Sequence, residues 1–415
     1  MKTTALSLRC LFTYAVLSRL GFQRGIFLLL LLERGFSGKE IGVLEASLFW
    51  ANVLSELPSG LFGDRFGRKL SLVVGLILLG VNGIGIVLCD GRCFSVFLCL
   101  FMLEGIGLAF ISGSDSALLW DLLAQQGREG DFIRIAARVR IAVSIAMGVA
   151  IALGGVLRQI SWDAVYACFA IAMFLAVLVL VPLHEPNLHR IKTTETKSDG
   201  VTRTLWVFFR HGEGRSLMGL IVSAALFGAV FTPYFVYSPA LLRDYGVGTT
   251  AIGIINALVE LTSIPALFIA QRFVGAFRLE RTVYISLSVS TGLLLMNLVP
   301  LLPVALVTYL LVMVAPVMME LMIENLLHGC VPSAIRASAL SLMTFLESLF
   351  VGLVYITFGF ALDYVPARLA LAAGAIMPFA ALLLARRYFA QRREVSASAT
   401  LRPGIRTDEV VHAKL

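Results

Sequence analysis

The sequence predicts an all-α integral membrane protein, with twelve transmembrane helices in two pseudo-symmetric six-helix bundles. Three observations carry that expectation. Apolar runs of about twenty residues recur from end to end, each long enough to cross a hydrocarbon core of about 30 Å. The 34 Lys and Arg fall mainly in alternate loops between those runs, which is how a membrane protein sets its orientation. Short motifs of the first half also return at corresponding positions in the second.

Composition excludes other classes. With 59% hydrophobic and 14% charged residues in 415, and a mean hydropathy of +0.89, the chain is no ordinary soluble globule. A net charge of +8 does not mean nucleic-acid binding, because the basic residues alternate with apolar spans. Lys2 and Arg9 precede an apolar run that continues without a small-residue cleavage site, so it reads as a retained first span rather than a signal peptide. Of six cysteines, only Cys89 and Cys93 lie close together, on the predicted outer side, where a disulfide is one option in an oxidising compartment.

Spans are expected at 9–33, 41–63, 70–90, 94–123, 134–157 and 163–183, then at 215–242, 251–273, 281–301, 303–328, 334–361 and 366–388. A polar linker, 184–214, separates the N-terminal bundle, 1–183, from the C-terminal bundle, 215–388. Its end, Leu205 to Arg210, reads as an amphipathic surface segment. A polar tail, 389–415, reads as disordered. An even number of spans puts both termini on one side, and the basic loops place that side in the cytoplasm.

Between the second and third spans lies a short charged hairpin, Gly60-Leu61-Phe62-Gly63-Asp64-Arg65-Phe66-Gly67-Arg68-Lys69. So short a connection makes the two helices antiparallel neighbours. Asp64 can accept hydrogen bonds at a helix N-terminus, and Arg65, Arg68 and Lys69 suit the headgroup level. Gly60, Asp64, Arg65, Gly67, Arg68 and Lys69 match a spaced pattern, and the decamer resembles the signature hairpin of the major facilitator superfamily. That resemblance implies a transporter with a gating hairpin at these six residues.

Internal repetition agrees. Ile41-Gly42 with Glu45-Ala46 opens the second span, and Ile252-Gly253 with Asn256-Ala257 opens the eighth. Gln271-Arg272-Phe273-Val274-Gly275 reads as a decayed copy of the hairpin, and Arg336 to Ser341 parallels Arg140 to Ser144. Glu33-Arg34-Gly35-Phe36-Ser37, Glu56-Leu57-Pro58-Ser59-Gly60 and Ser112 to Leu118 are similar to a bacterial efflux-type branch of the superfamily. Two departures stand out: Phe101 occupies the place of a fourth-span Arg before Glu104-Gly105, and the fifth span lacks a Gly-Pro pair. Both argue against a specific drug/proton antiporter assignment.

Ionisable groups inside spans are costly and face partners or a water-filled cavity. Arg19 is placed mid-way along the first span, with Gln23 one turn further on the same face. Glu45, Asn52 and Glu56 form a stripe on the second span, and Glu104 and Asp115 one on the fourth. Asn256 and Glu260 follow on the eighth, Glu320 and Glu324 on the tenth, and Glu347 on the eleventh. Glu45, Glu324 and Asp121 fall near span ends, where solvation is the expectation; Arg24 either partners Glu45 or snorkels outward. Tyr234 lies in an aromatic run of the seventh span. A reflection of the first span through the turn near Ser37 brings Arg19 level with Glu56, with Glu104 as competitor.

The substrate and proton pathway is therefore assigned to Arg19, Gln23, Glu56, Glu104, Asp115, Tyr234, Asn256, Glu260 and Glu320. No catalytic residue, metal cluster or cofactor motif is apparent, so the chain is read as no enzyme. The expected activity is proton-coupled export of a small organic molecule by a monomer in the bacterial inner membrane. Uptake of an anionic nutrient, with Arg19 as the anion-binding group, is the alternative, and a non-transporting membrane receptor is a third reading.

Overall fold

The computed structural model describes residues 2–185, 212–266, 279–316, 319 and 336–400. The expected amphipathic segment at 205–210, the second hairpin at 271–275, and Glu320 and Glu324 lie outside them. Among the described residues there is no strand, and eight helices are long and apolar enough to cross a membrane. The chain forms two compact units. One comprises Met1–Lys192, Phe235–Ile264 and Tyr355–Ala370; the other comprises Thr193–Tyr234, Pro265–Val354 and Leu371–Leu415.

The first unit begins with a helix that does not run through. α1 (Lys2–Leu17) stops, residues 18–26 form turns, and α2 (Phe27–Glu33) resumes. The expected continuous span at 9–33 is thus two helices around a break. Hydropathy cannot show such a break, because turns buried in protein satisfy their backbone groups locally and through neighbours. α3 (Gly38–Phe66) follows a capping box, in which Ser37 and Glu40 satisfy each other's backbone N–H groups. α4 (Arg68–Leu88) follows the hairpin. α5 (Phe94–Ile111) and α6 (Ser114–Ala124) divide the fourth span at Ser112 and Gly113. Gly113 has φ 73°, which suits a residue without Cβ. α7 (Phe132–Leu157) and α8 (Trp162–Leu180) complete the first-half elements.

The apolar core of this unit joins α1, α4, α6 and α8 through Tyr14, Leu72, Leu76, Leu118, Leu122 and Met173. At the hairpin end, Glu185 accepts from the backbone N–H groups of Arg68 and Lys69, at 2.6 and 3.2 Å, so a carboxylate closes the α4 N-terminus. Lys69 Nζ reaches the carbonyls of Val181 and Leu183 past the end of α8. At the far end, Arg34 donates to the carbonyls of Cys89 and Ile86 at the α4 C-terminus. Cys89 and Cys93 are free thiols there, so the disulfide option is not taken in this structure.

Glu40 lies just outside the membrane-spanning stretch. Burial pushes its carboxyl up, but hydrogen bonds from Arg92 and from the Ser37 backbone and hydroxyl outweigh it and hold it below the usual glutamate range. A lowered folded-state value stabilises above the unfolded value and loses that stabilisation as pH falls through the folded one. Glu40→Gln should therefore lower the thermal midpoint at neutral pH, with the deficit shrinking towards zero below about pH 4. A deficit of constant size would assign the effect to packing.

Segments from the second half of the sequence share this unit. α10 (Phe231–Asp244) contributes from Phe235 onward, and α11 (Thr249–Leu261) packs on α7. The last turns of α14 (Arg336–Leu362), from Tyr355, pack on α3. Asp363 then accepts from the N–H groups of Gly38 and Lys39, at 2.6 and 2.9 Å.

In the second unit, α9 (Gly212–Gly228) packs on α16 (Ile376–Thr400), with the Ser223 hydroxyl donating to the Ala381 carbonyl at 2.7 Å. α12 (Leu279–Leu295) also packs on α16, where Tyr284 meets Phe389. α13 (Leu302–Val312) supplies Tyr309 against Tyr234, and α15 (Ala367–Ala373) precedes α16. The seventh span, expected at 215–242, is interrupted at 229–230 between α9 and α10. The last helix runs to Thr400 instead of ending at 388, so the first twelve residues of the expected disordered tail are helical.

Candidate functional site

Two of the breaks in the first unit meet. Arg19 leaves the helical path just after α1, and Asp115 stands in the first turn of α6, just after the break in the fourth span. The Arg19 guanidinium lies 3.9 Å from the Asp115 carboxylate, and their side chains are 39% and 36% exposed. Such a half-wet ion pair inside a span is what a cavity wall requires. The Arg19–Glu56 pair expected from depth alone is therefore not formed here: Arg19 sits on a turn, so the reflection along a straight helix does not apply.

The break is held by contacts with α7 and α11. Asn256 donates from Nδ2 to the Gly25 carbonyl, which the interrupted helix leaves without its usual partner. A Cβ on Gly154 would sit 1.8 Å from the Phe22 carbonyl oxygen, so α7 touches the break backbone to backbone. Tyr14, at the end of α1, is electrostatically close to both Asp115 and Arg19. Its hydroxyl and Gln23 Oε1 are buried without a hydrogen-bond partner among the described residues. Polar atoms of that kind usually serve water or a ligand.

Other assigned residues scatter around this centre. Glu104 accepts from Asn82 Nδ2 at 2.8 Å. Asn52 donates to the Gly105 carbonyl at 3.2 Å, tying α3 to α5. Glu56 is exposed and Glu260 half-buried. In the second unit Tyr234 is fully buried, its hydroxyl donating to Asn297 Oδ1 at 3.1 Å, which is a packing environment. Glu347 lies against Gly228 there.

Two carboxylates differ from the expected solvation near span ends. Glu45 is 3% exposed and Asp121 4%. Asp121 lies 3.6 Å from Arg68 Nε, and the same guanidinium is 3.4 Å from Asp64, whose side chain is 61% exposed. Arg68 thus links the hairpin to α6. Distance from a helix end does not predict such burial, because the covering groups come from elsewhere in the chain. Tyr14 gave no signal in sequence, being one aromatic in an apolar run.

The Arg19–Asp115 pair is open to a double-mutant cycle with Arg19→Gln and Asp115→Asn. Both groups are more than a third exposed, so their coupling in thermal stability should be no more than about 1 kcal/mol. Transport should fall about 10-fold or more in each single variant, an effect of about 1.4 kcal/mol or more on the barrier. Strong coupling in stability with intact transport would make the pair structural.

A family model, Major Facilitator Superfamily, matches residues 11–335. The chain belongs to that superfamily. It is a multi-pass membrane transporter, and not an enzyme. Among curated relatives, Quinolone resistance protein NorA of Staphylococcus aureus (strain MRSA252) is 22% identical over 235 residues, 55% of this chain and 58% of that protein. Multidrug resistance protein 1 of Bacillus subtilis (strain 168) is 26% identical over 158 residues, 37% of this chain and 39% of that protein. The matched stretch thus spans little more than half of the relatives at most.

Solved structures share the fold across nearly the whole chain. The nucleoside transporter NupG superposes with TM-score 0.73 at 15% identity, covering 94% of this chain and 99% of that one. A D-xylose-proton symporter gives 0.70 at 18%, covering 93% and 95%. The all-α superfamily fold expected from the sequence is the one found, with eight membrane-length apolar helices among the described residues.

Proposed function

We propose that this transporter exports a small organic molecule in exchange for protons by alternating access. The observation that carries the reading is the half-exposed Arg19–Asp115 pair where two broken spans meet, bordered by the Tyr14 hydroxyl, which has no hydrogen-bond partner among the described residues. A ligand there meets both signs of charge, an aromatic face and free polar atoms. Relatives named for quinolone and multidrug resistance support export of an organic amphiphile. Export of this kind works against a substrate gradient, and intramembrane carboxyls supply groups that can carry a proton as access switches.

The bundle boundaries at 183 and 215, a monomeric working unit, the bacterial inner membrane and cytoplasmic termini belong to the same reading. Loop charge supports the orientation. Uptake of an anionic nutrient has weaker support, because Asp115 already neutralises Arg19.

Direction is tested with everted membrane vesicles and a fluorescent quinolone. Energised vesicles carrying the protein should accumulate the quinolone, and a protonophore should abolish the accumulation. Accumulation equal to that of vesicles without the protein rejects quinolone export. Preferential uptake of organic anions by right-side-out vesicles would favour the nutrient reading.

A further inference from the structure

Ion pairs in the first unit fall into two kinds. Arg158 meets Glu33 at 2.7 Å and Arg92 meets Glu40 at 2.8 Å, the separation of a charge-assisted hydrogen bond. Arg68 stands further off because it is shared between two carboxylates, at 3.4 and 3.6 Å. Arg19 is shared with no second acid among the described residues, yet it stops 3.9 Å from Asp115. Its guanidinium makes no hydrogen bond among the described residues. That fork of N–H donors is left to water or a ligand.

Asp115 is fixed in place but equally unsaturated. Its Oδ1 accepts from the Ser116 N–H at 2.7 Å, which orients the carboxylate in the first turn of α6 and turns Oδ2 to Arg19. Oδ2 accepts no hydrogen bond among the described residues. Ser112 and Ser116 on either side are exposed, so the pair stands on a wetted wall and not in a packed seam. The Tyr14 hydroxyl lies within electrostatic reach of both charges. Tyr14 is 1% exposed, and its hydroxyl has no hydrogen-bond partner among the described residues.

We propose that Arg19 and Asp115 together recognise a zwitterion whose carboxylate and ammonium lie close together, the head group of an α-amino acid. The inference rests on the transport reading above and names the class of head group which that reading leaves open. The ligand carboxylate takes the guanidinium fork and the ammonium takes Asp115 Oδ2, so that two short ion pairs replace one loose pair. Charge decides the class. The pair is neutral as a whole, so a ligand with a single charge leaves one of its members uncompensated as water is stripped from it, which is costly. A zwitterion leaves neither. Spacing decides the head group. The two members are 3.9 Å apart, a gap that a carboxylate and an ammonium on one carbon can bridge. In a quinolone the two charges stand at opposite ends of a ring system, so it meets Asp115 through its amine alone.

The test uses full-length protein in detergent at about pH 7, where free carboxylates are ionised and amines protonated. Three probes share one shape: phenylalanine, phenylalaninol, which lacks the carboxylate, and N-acetylphenylalanine, which lacks the ammonium. Titration calorimetry should show phenylalanine bound and each of the others bound about 10-fold or more weakly, the loss of one hydrogen-bonded charge contact. Arg19→Gln should bind phenylalanine no better than phenylalaninol, and Asp115→Asn should bind it no better than N-acetylphenylalanine. Arg19→Lys should restore part of the preference over phenylalaninol, which a structural role alone would not do. The affinity ratios in the unaltered protein stand as the test if a variant does not fold. No binding of phenylalanine, equal binding of all three probes, or preferences that survive in both variants overturn the proposal. If energised vesicles still accumulate the quinolone, such a result leaves the transport reading standing; if they do not, both fail.

Discussion

Replacing Arg68 by glutamine should cost about 3 kcal/mol of stability, the lower end of what is lost when a buried ion pair loses one member. Asp121, 4% exposed, then faces its other neighbours without the guanidinium 3.6 Å away. The thermal midpoint in detergent should fall clearly, and Asp121→Asn in the same protein should restore much of it. Asp64→Asn should behave differently. Its carboxylate is largely exposed and its contact with Arg68 is 3.4 Å, so stability should change by less than about 1 kcal/mol. Transport should nonetheless fall about 10-fold, because we place Asp64 in the gating hairpin of the superfamily pattern. Equal stability loss for both variants would mean that the hairpin acts as one structural unit.

Gly154→Val should be at least as damaging. The first added carbon would lie 1.8 Å from the Phe22 carbonyl oxygen, with the Phe22 carbonyl carbon at 2.8 Å. Backbone cannot rotate away as a side chain can, so the cost should reach or exceed the roughly 3 kcal/mol upper end for overpacking. Since Gly154 braces the break that carries Arg19, transport should be lost even in the fraction that folds. Gly219→Ala is the control, because no atom lies within 4 Å of a Cβ there, and alanine should gain up to about 1 kcal/mol in a helix interior. Similar losses at both positions would show that glycine content, not the contact at Gly154, is at issue.

These two positions show how far the chain could be read in advance. The hairpin was legible because its chemistry is local: six residues in a decamer, bounded by apolar runs. The superfamily fold followed from it, from span lengths and from loop charge. The breaks were not legible. Gly21 and Gly25 fall inside an apolar run, and only the approach of Gly154 and Asn256, over a hundred positions away, shows why the helix stops there. The same holds for Asp115, whose helix starts anew after Gly113, so that counting eleven residues from Glu104 misplaces it. Arg19 was rightly read as needing a partner, but straight-helix depth pointed to Glu56. Glu45 and Asp121 were expected to be solvated because each lies near a span end. Tyr355 packs on the first and Arg68 on the second, and neither contact can be inferred from distance along the helix.

The coupling of transport to protons is the central claim, and purified protein in sealed proteoliposomes tests it most directly. A fluorescent quinolone is followed while a pH gradient is imposed in either direction without any other energy source. The quinolone should move uphill, opposite to the proton flow, reversing when the gradient is reversed and stopping with a protonophore. Asp115→Asn should lose binding of the quinolone, and with it uphill movement. Quinolone movement that only equilibrates, at the same rate with and without the gradient, would contradict the claim.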